Sequence, residues 1–319
     1  MIKGLALTPP VVGRISIGRI IEQNGKRLPQ KDDQFTLTTQ VQHKDGWLLH
    51  PLDQQLREAQ PNQQGAANRQ PPKLQKIPVR LLFDQPDLNF RAEYSLFDRK
   101  TGRPLCVGNG SQCRRLTQEG LQQLDCPSPT WCEFGKGGLC KPYGRLNVLV
   151  APESQNSNDE LGSFIFRSTG FNSIRTLAAR LNYYQAVSGH RLSCLDLQLK
   201  IRGKSTTLSH RTPIFYVDLT LPDGLDLATA IQQAIERQNQ RQAAGWDQQA
   251  LDQAAQKGFA NAWQEDTEDD LPEILEHFYP EATEAMETEV STVKEPTRAG
   301  HQAQSTHTLK QRLQRPTQQ

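Results

Sequence analysis

Large apolar residues are scarce in this chain. Hydrophobic residues make up 35% of its 319 positions and the mean hydropathy is −0.67. The apolar content is therefore gathered in part of the chain while other parts stay solvated. No run approaches the roughly 18 to 20 continuous apolar residues of a membrane span. The opening MIKGLALTPPVVGRIS has an early Lys but no apolar h-region or small-residue cleavage site, and Pro9-Pro10 would interrupt a signal helix. A cytoplasmic protein without membrane contact is the expectation. Catalytic motifs are missing too. The seven histidines are scattered, with no HExxH pair and no GxSxG elbow nearby. Gly203-Lys204-Ser205 echoes a phosphate loop, but position 198, where the first glycine of that motif belongs, is Gln198. No nucleophile, base and orienting group can be assembled from a local pattern, which argues against an enzyme.

An overall excess of charge is absent as well, the net being +2, but the signs are unevenly spread. From Arg99 to Arg145 eight Lys or Arg stand against three Asp or Glu, a local +5. Glu265, Asp266, Glu268, Asp269, Asp270, Glu273 and Glu276 run the other way.

At this length a chain supports a proper core without disulfide staples. Short apolar stretches in residues 1–50 suit strands, and the Gln-, Asn- and Pro-rich segment Asp53 to Pro72 reads as a loop or linker. Pro78 to Phe83 and Phe90 to Phe97 read as a strand pair turning at Asp84-Gln85-Pro86-Asp87. Arg145 to Val150, Gly162 to Arg167, Cys194 to Ile201 and Pro213 to Leu221 read as further strands. The run Leu195, Leu197, Leu199, Ile201 alternates as a sheet with one wet face requires. Ser173 to Val187 reads as a helix with Ile174, Leu177, Ala178, Leu181 and Tyr184 on one stripe, Asn172 or Ser173 as cap and Gly189 past its end. From Leu225 to about Trp263 two partly buried helices are expected, the first bearing Leu227, Ile231 and Ile235, the second Leu251, Ala254 and Ala255, with a break at Gly245. The expected organisation is a β-rich core over 1–225 that includes a zinc block at 104–145, a helical extension over 226–280, and a disordered tail over 281–319. The fold class is α+β, mainly antiparallel.

Five of six cysteines fall in 35 residues, as Cys106-x6-Cys113-x12-Cys126-x5-Cys132-x7-Cys140. In a reducing compartment such clustering points to metal rather than disulfides. Four thiolates close a tetrahedral structural Zn2+ site. The set Cys106, Cys126, Cys132 and Cys140 is favoured, with Cys113 the alternate; free buried cysteines or a redox pair are the competing readings. Cys194 reads as a core residue. Arg114, Arg115, Lys136, Lys141 and Arg145 make the block basic, and Arg167 and Arg175 flank Ser168-Thr169-Gly170-Phe171-Asn172-Ser173, where hydroxyls and amides at a helix start serve either as an N-cap or as an anion site. These seven basic residues are the nucleic-acid candidates. Phe134, Tyr143, Phe164, Phe166 and Phe171 allow a second reading, a single-strand binding module that stacks bases, unless they are core.

Pro104 to Gly110, the segment Cys126 to Cys140 with Lys141-Pro142-Tyr143-Gly144-Arg145-Leu146 after it, and Gly162 through Ser168-Thr169-Gly170 together resemble proteins labelled "hydrolase or metal-binding protein". These are carried by conjugative plasmids, integrative conjugative elements and phages. More distantly the chain resembles the recombination directionality factor-like family, whose phage members bind a large serine integrase and switch it from integration to excision. The resemblance covers about residues 1–225 and not the tail. It implies an accessory protein of a mobile genetic element that binds a recombinase, DNA or both, through the β-rich body and the basic zinc block. No catalytic residue is transferred by it, so the word hydrolase has no residues behind it here, and an enzyme with a hidden site is the third reading.

Overall fold

Strands rich in Val, Ile, Leu and Phe dominate the molecule because β-branched and aromatic side chains fit a pleated surface buried on one or both faces. The computed structural model describes residues 7–23, 26–43, 46–59, 72–150, 161–205, 207, 211–260 and 270–279. Its strands are β1 (Val11–Gln23), β2 (Lys26–His43), β3 (Gly46–Leu49), β4 (Lys76–Arg80), β5 (Phe90–Phe97), β6 (Pro104–Gly108), β7 (Gln112–Thr117), β8 (Gly120–Asp125), β9 (Lys141–Val150), β10 (Ser163–Ser168), β11 (Leu197–Lys204) and β12 (Ile214–Thr220). The helices are α1 (Pro51–Glu58), α2 (Pro86–Asn89), α3 (Ser128–Trp131), α4 (Phe171–Val187), α5 (Leu227–Ala243), α6 (Gln248–Ala260) and α7 (Leu271–Phe278).

One sheet runs in the order β3-β2-β1-β10-β9-β5-β6-β7-β8, with β4, β11 and β12 branching from it. The branch point is β9. Its first part, Lys141 to Leu146, pairs with β5, while Leu149 and Val150 pair with Arg80 and Val79 of β4. Its other edge pairs with β10. β1 and β10 are parallel and the remaining described pairs are antiparallel, the expected α+β class. The Phe35 amide donates to the Leu74 carbonyl at 2.6 Å, joining β2 to the approach of β4. The sheet thus curls around a core that includes Phe35, Leu37, Ile77, Val79, Val148, Phe164, Phe166, Leu199 and Val217.

α4 covers β12 and part of β9, burying Ile174, Leu177 and Leu181, with Ala178 and Tyr184 at the edge of the same core. Gly189 follows it at φ +62, as a helix end that turns left-handed requires. The N-terminus differs from expectation. Gly170 is the cap, and the Ser173 hydroxyl instead accepts from the Val217 amide at 3.0 Å, tying the helix to β12. Cys194 closes a 3-10 turn, Leu192–Cys194, before β11 rather than opening that strand. α5 buries Ala230 and Ala234, while Leu227 is exposed: Arg237 and Arg241 on the same helix reach the Cys194 turn, and small residues let the backbone approach it. Gly245, at φ +86, makes the expected break before α6.

Two stretches expected as loops contain helices. Pro86–Asn89 is a short turn whose buried Asn89 accepts from the Leu82 and Phe83 amides and donates to the Phe83 and Gln85 carbonyls. Pro51–Glu58 is α1, started by the His50 side chain accepting from the Leu52 amide and by Pro51 in the first turn. Asp53, 3% exposed, accepts from the Leu37 amide at 2.9 Å and from Arg57 Nε at 2.6 Å, and Arg57 reaches on to the Phe35 carbonyl at 2.7 Å. The low apolar content of this segment hid a helix held by one buried ion pair. The remainder of that segment at 60–71, and the tail expected from 281, lie outside the described residues.

Breaking such a pair leaves an uncompensated buried charge, at a cost of about 3–5 kcal/mol. Asp53→Ala is expected to lose stability of that order in denaturant unfolding, whereas Gln54→Ala, one residue along on the exposed side, leaves the midpoint unchanged.

Candidate functional site

The cysteines sit on an arm. β6, β7 and β8 form an antiparallel meander at one end of the sheet, turning at Gly110, whose φ is +93, with the Asn109 side chain accepting from the Ser111 and Gln112 amides. Cys106 on β6 stands beside Arg115 on β7, and Gly108 beside Cys113. The chain then folds back over this face through Cys126, α3, Cys132 and the 3-10 turn Lys136–Gly138 to Cys140, which leads into β9. A Cβ on Gly108 would lie 3.0 Å from Cys126 Sγ, and one on Gly135 would lie 2.6 Å from Cys140 Cβ. Both positions need glycine for the thiols to close in.

Cys106, Cys113 and Cys126 pack with Leu96, and Cys140 joins them at the edge beside Leu105 and Leu139. Cys106 and Cys113 pack as neighbours on β6 and β7, and Cys113 Sγ lies 3.7 Å from the Asp125 carbonyl. Arg115 donates to Cys132 Sγ at 3.6 Å and bonds Cys106, with its guanidinium 4.5 Å from the Phe134 ring centre. All five cysteines singled out in the sequence thus lie on this arm, none in a disulfide, and four of them pack in one cluster. Among the described residues, no three or more Cys, His, Asp or Glu side chains are drawn together into a metal-ligand set. Burial, followed by the neighbouring Cys106, pushes the Cys113 thiol up to about 11, and burial with the charges of Cys106, Cys126 and Cys132 pushes Cys140 up to about 12.

The outside of the arm is apolar where solvent meets it. Trp131 is 78% exposed, Leu116 and Leu121 pair across β7 and β8 with both side chains exposed, and Leu124 and Phe134 lie exposed on the cysteine side. β8 ends the described sheet.

The seven basic candidates divide into three groups. Arg114, Lys136 and Arg175 are exposed, Lys136 paired with Glu133, while Arg115 faces the thiols. Lys141, Arg145 and Arg167 are covered instead. Arg167 and Arg145 are direct cross-strand neighbours on β10 and β9, and Arg145 is the direct neighbour of Arg91 on β5. Arg14 on β1 lies beside Ile165, two residues before Arg167 and on its face. The result is a row of four arginines across four adjacent strands. Asp270, just before α7, bridges Arg167 at 2.7 Å and Arg14 at 3.4 Å; Glu93 takes Arg145 at 2.8 Å, and Asn147 takes Arg91 at 3.2 Å. Trp47 stacks on Arg14 at 3.6 Å and Phe259 on Arg91 at 4.2 Å. α7 is anchored by Ile274, Phe278 and Tyr279 against Phe97 and Tyr143, and Lys141 Nζ donates to the Phe278 carbonyl at 2.6 Å. Arg14, Arg91 and the Asp270 bridge were not singled out from the sequence; the one local sign is a lone charge inside an apolar run, as in Phe164-Ile165-Phe166-Arg167.

Tyr143, Phe164 and Phe166 are core residues, since β9 and β10 are buried on both faces, and cannot stack bases; Phe134 and Phe171 are exposed. At the helix start, the Ser168 hydroxyl accepts from the Gly170 amide at 3.0 Å and Ser173 is committed to Val217, so both hydroxyls serve the fold. A cavity of about 750 Å3 between α5, α6 and the Cys194 turn gathers Asp84, Asp252, His190 and Cys194. Its carboxylates hold the walls together: Asp252 accepts from the Asp84 amide and Gln248, and Asp84 accepts from the Ser193 amide.

Residues 12–222 match the Gp3-like family, described as recombination directionality factor-like. The chain belongs to this family. No curated protein and no solved structure matches it. As a Gp3-like protein it is recombination-related, and the matched span holds β1 through β12, the cysteine arm and all four arginines of the row. Asp270 and α7 lie beyond it. No helix among the described residues is long and apolar enough to cross a membrane.

Raised thiol values have a pH consequence. A folded state that holds Cys113 and Cys140 protonated is fully stabilised by this below the usual thiol value of 9.0, and loses the contribution as pH rises towards 11 and 12. Metal-free protein is expected to show a melting temperature that falls from about pH 9 upward, less steeply in Cys140→Ala; a profile that stays flat to pH 11 contradicts this.

Proposed function

We propose that this protein is a recombination directionality factor of a phage or other mobile genetic element, working by binding a site-specific recombinase and DNA rather than by chemistry of its own. Membership of the Gp3-like family carries the reading. The recombinase-facing surface is the cysteine arm. Trp131 is a large aromatic held out into solvent on α3, Phe134 and the Leu116–Leu121 pair are exposed elsewhere on the same arm, and β8 ends the described sheet. Buried aromatic anchors of this kind dominate protein interfaces, and an exposed edge accepts a partner strand through its backbone. The exposed Arg114, Lys136 and Arg175 supply phosphate contacts.

A structural Zn2+ at Cys106, Cys126, Cys132 and Cys140 braces the arm in this reading. The donor chemistry suits zinc: the four thiols come from separate points of one arm, β6, the end of β8, the end of α3 and the approach to β9, and glycines at 108 and 135 leave room beside Cys126 and Cys140. Cys113 is engaged by the Asp125 carbonyl at 3.7 Å, which is consistent with its place as the alternate ligand. Bound Zn2+ would hold the arm closed and supply no reaction.

Purified protein is expected to contain one zinc per chain by elemental analysis and to lose it in Cys132→Ser together with thermal stability; metal-free protein with unchanged stability removes zinc from the account. Trp131→Ala is expected to weaken capture of the recombinase encoded by the same element by about tenfold or more, the loss of about 2 kcal/mol typical of an interface hot spot, with no change in melting temperature. Full capture by this variant places the interface elsewhere.

A further inference from the structure

The arginine row is an unusual thing to build into the middle of a sheet. Like charges directly opposite each other on paired strands are destabilising, and buried ion pairs can often be replaced by apolar residues without loss. Arg91, Arg145 and Arg167 nevertheless stand in direct register on three adjacent strands, with Arg14 on the fourth. Arg14 lies against Trp47 of β3 and Arg91 against Phe259 of α6, so the members within reach once α7 is away are Arg145 and Arg167, about 4.8 Å apart on neighbouring strands. Planar guanidiniums in such an array suit phosphate oxygens, which they grip two at a time.

The anion that bridges two members of the row comes from elsewhere. Asp270 is 103 residues from Arg167 and 256 from Arg14 in sequence. It belongs to an acidic run that lies outside the Gp3-like span, whereas the row lies wholly within it. α7, which carries Asp270 into place, has eight residues, too few for a helix to persist in water without packing. Its anchor is a small aromatic cluster separate from the main core. Segments held by few apolar contacts open at a fraction of the global cost. The same helix takes Lys141 through the Phe278 carbonyl.

We infer that α7 is a releasable strap: Asp270 stands in for a phosphate on an arginine row that, once α7 lifts, binds the backbone of DNA. The inference rests on the DNA-contact part of the proposed function and is independent of the recombinase surface on the arm. It explains how Lys141, Arg145 and Arg167 can be nucleic-acid residues and yet be covered. In the strapped state only peripheral cations meet DNA; in the open state the row adds Arg167, Arg145 and Lys141.

The test uses the full chain with Asp270→Asn and Ile274→Ala together, and a 30-bp duplex of arbitrary sequence as probe, with hydrogen exchange over α7 to verify release. Binding by fluorescence anisotropy is expected to tighten about tenfold at low salt, with a salt dependence steeper by about 2 to 3, since each phosphate contact contributes about 0.9 to the slope. Adding Arg167→Gln is expected to remove most of the gain. A staple gives the converse and does not require α7 to be weakened. A Cβ on Gly102 would lie 3.6 Å from Leu271 Cβ, within disulfide range, so Gly102→Cys with Leu271→Cys is expected to bind DNA more weakly oxidised than reduced. Unchanged DNA binding with α7 released, a gain that survives Arg167→Gln, or equal binding by the oxidised and reduced staple each overturns the inference. So does recombinase capture that rises on release while DNA binding stays flat, which would make the row a protein site. Failure of recombinase capture in every variant counts against the arm and leaves the strap untouched.

Discussion

β9 is a ten-residue strand that has to satisfy three neighbours at once. β10 takes one edge, while β5 and then β4 divide the other. Everything else is placed by that division. To one side the sheet continues to β1, β2 and β3; to the other it runs out through β5 into the arm; at the far end of β9 the branch to β4, β11 and β12 turns back to enclose the core. Gly144 sits where β9 passes beneath α4, and a Cβ there would come within 2.8 Å of Phe90 and 3.0 Å of Ile174. Because β9 also begins just after Cys140 and carries Arg145, the position of one strand fixes both the cysteine cluster and the arginine row relative to the core.

The two candidate sites differ in how their charges are handled. In the arm, five thiols are gathered out of water with one guanidinium between them, and the chain spends glycines at 108 and 135 to let them approach. On the sheet face, four guanidiniums are gathered and the carboxylates come to them, Glu93 from the neighbouring strand and Asp270 from beyond the matched span. The arginine row is costly for folding alone, since like charges repel and buried polar groups need partners. Its carboxylate partners offset that cost, and the proposed DNA contact rests on a phosphate taking the place of one of them.

Much of the fold was legible from period and punctuation. The strand over Phe90 to Phe97, the four-residue stripe of α4 and the Gly245 break all coincide with the structure because each rests on local physics. α1 was missed because its stability comes from the Asp53–Arg57 latch to β2 and not from an apolar stripe. In α5 the expected stripe was displaced by about one residue, since close approach to the Cys194 turn selects Ala230 and Ala234 over Leu227. The cysteines could be found by spacing. The arginine row could not, because Arg14, Arg91, Arg145 and Arg167 meet only through strand register, and register is a property of pairing rather than of any one segment.

The central claim is that this protein acts on a recombinase, and the direction of recombination reads it most directly. The recombinase of the same element, supplied with integrated-form and separate-form DNA substrates, is assayed with and without the purified protein. Excision products that appear only when the protein is present, with integration suppressed in parallel, are the predicted result. Unchanged product ratios at protein concentrations that saturate the recombinase, or the DNA where no recombinase is bound, would contradict it.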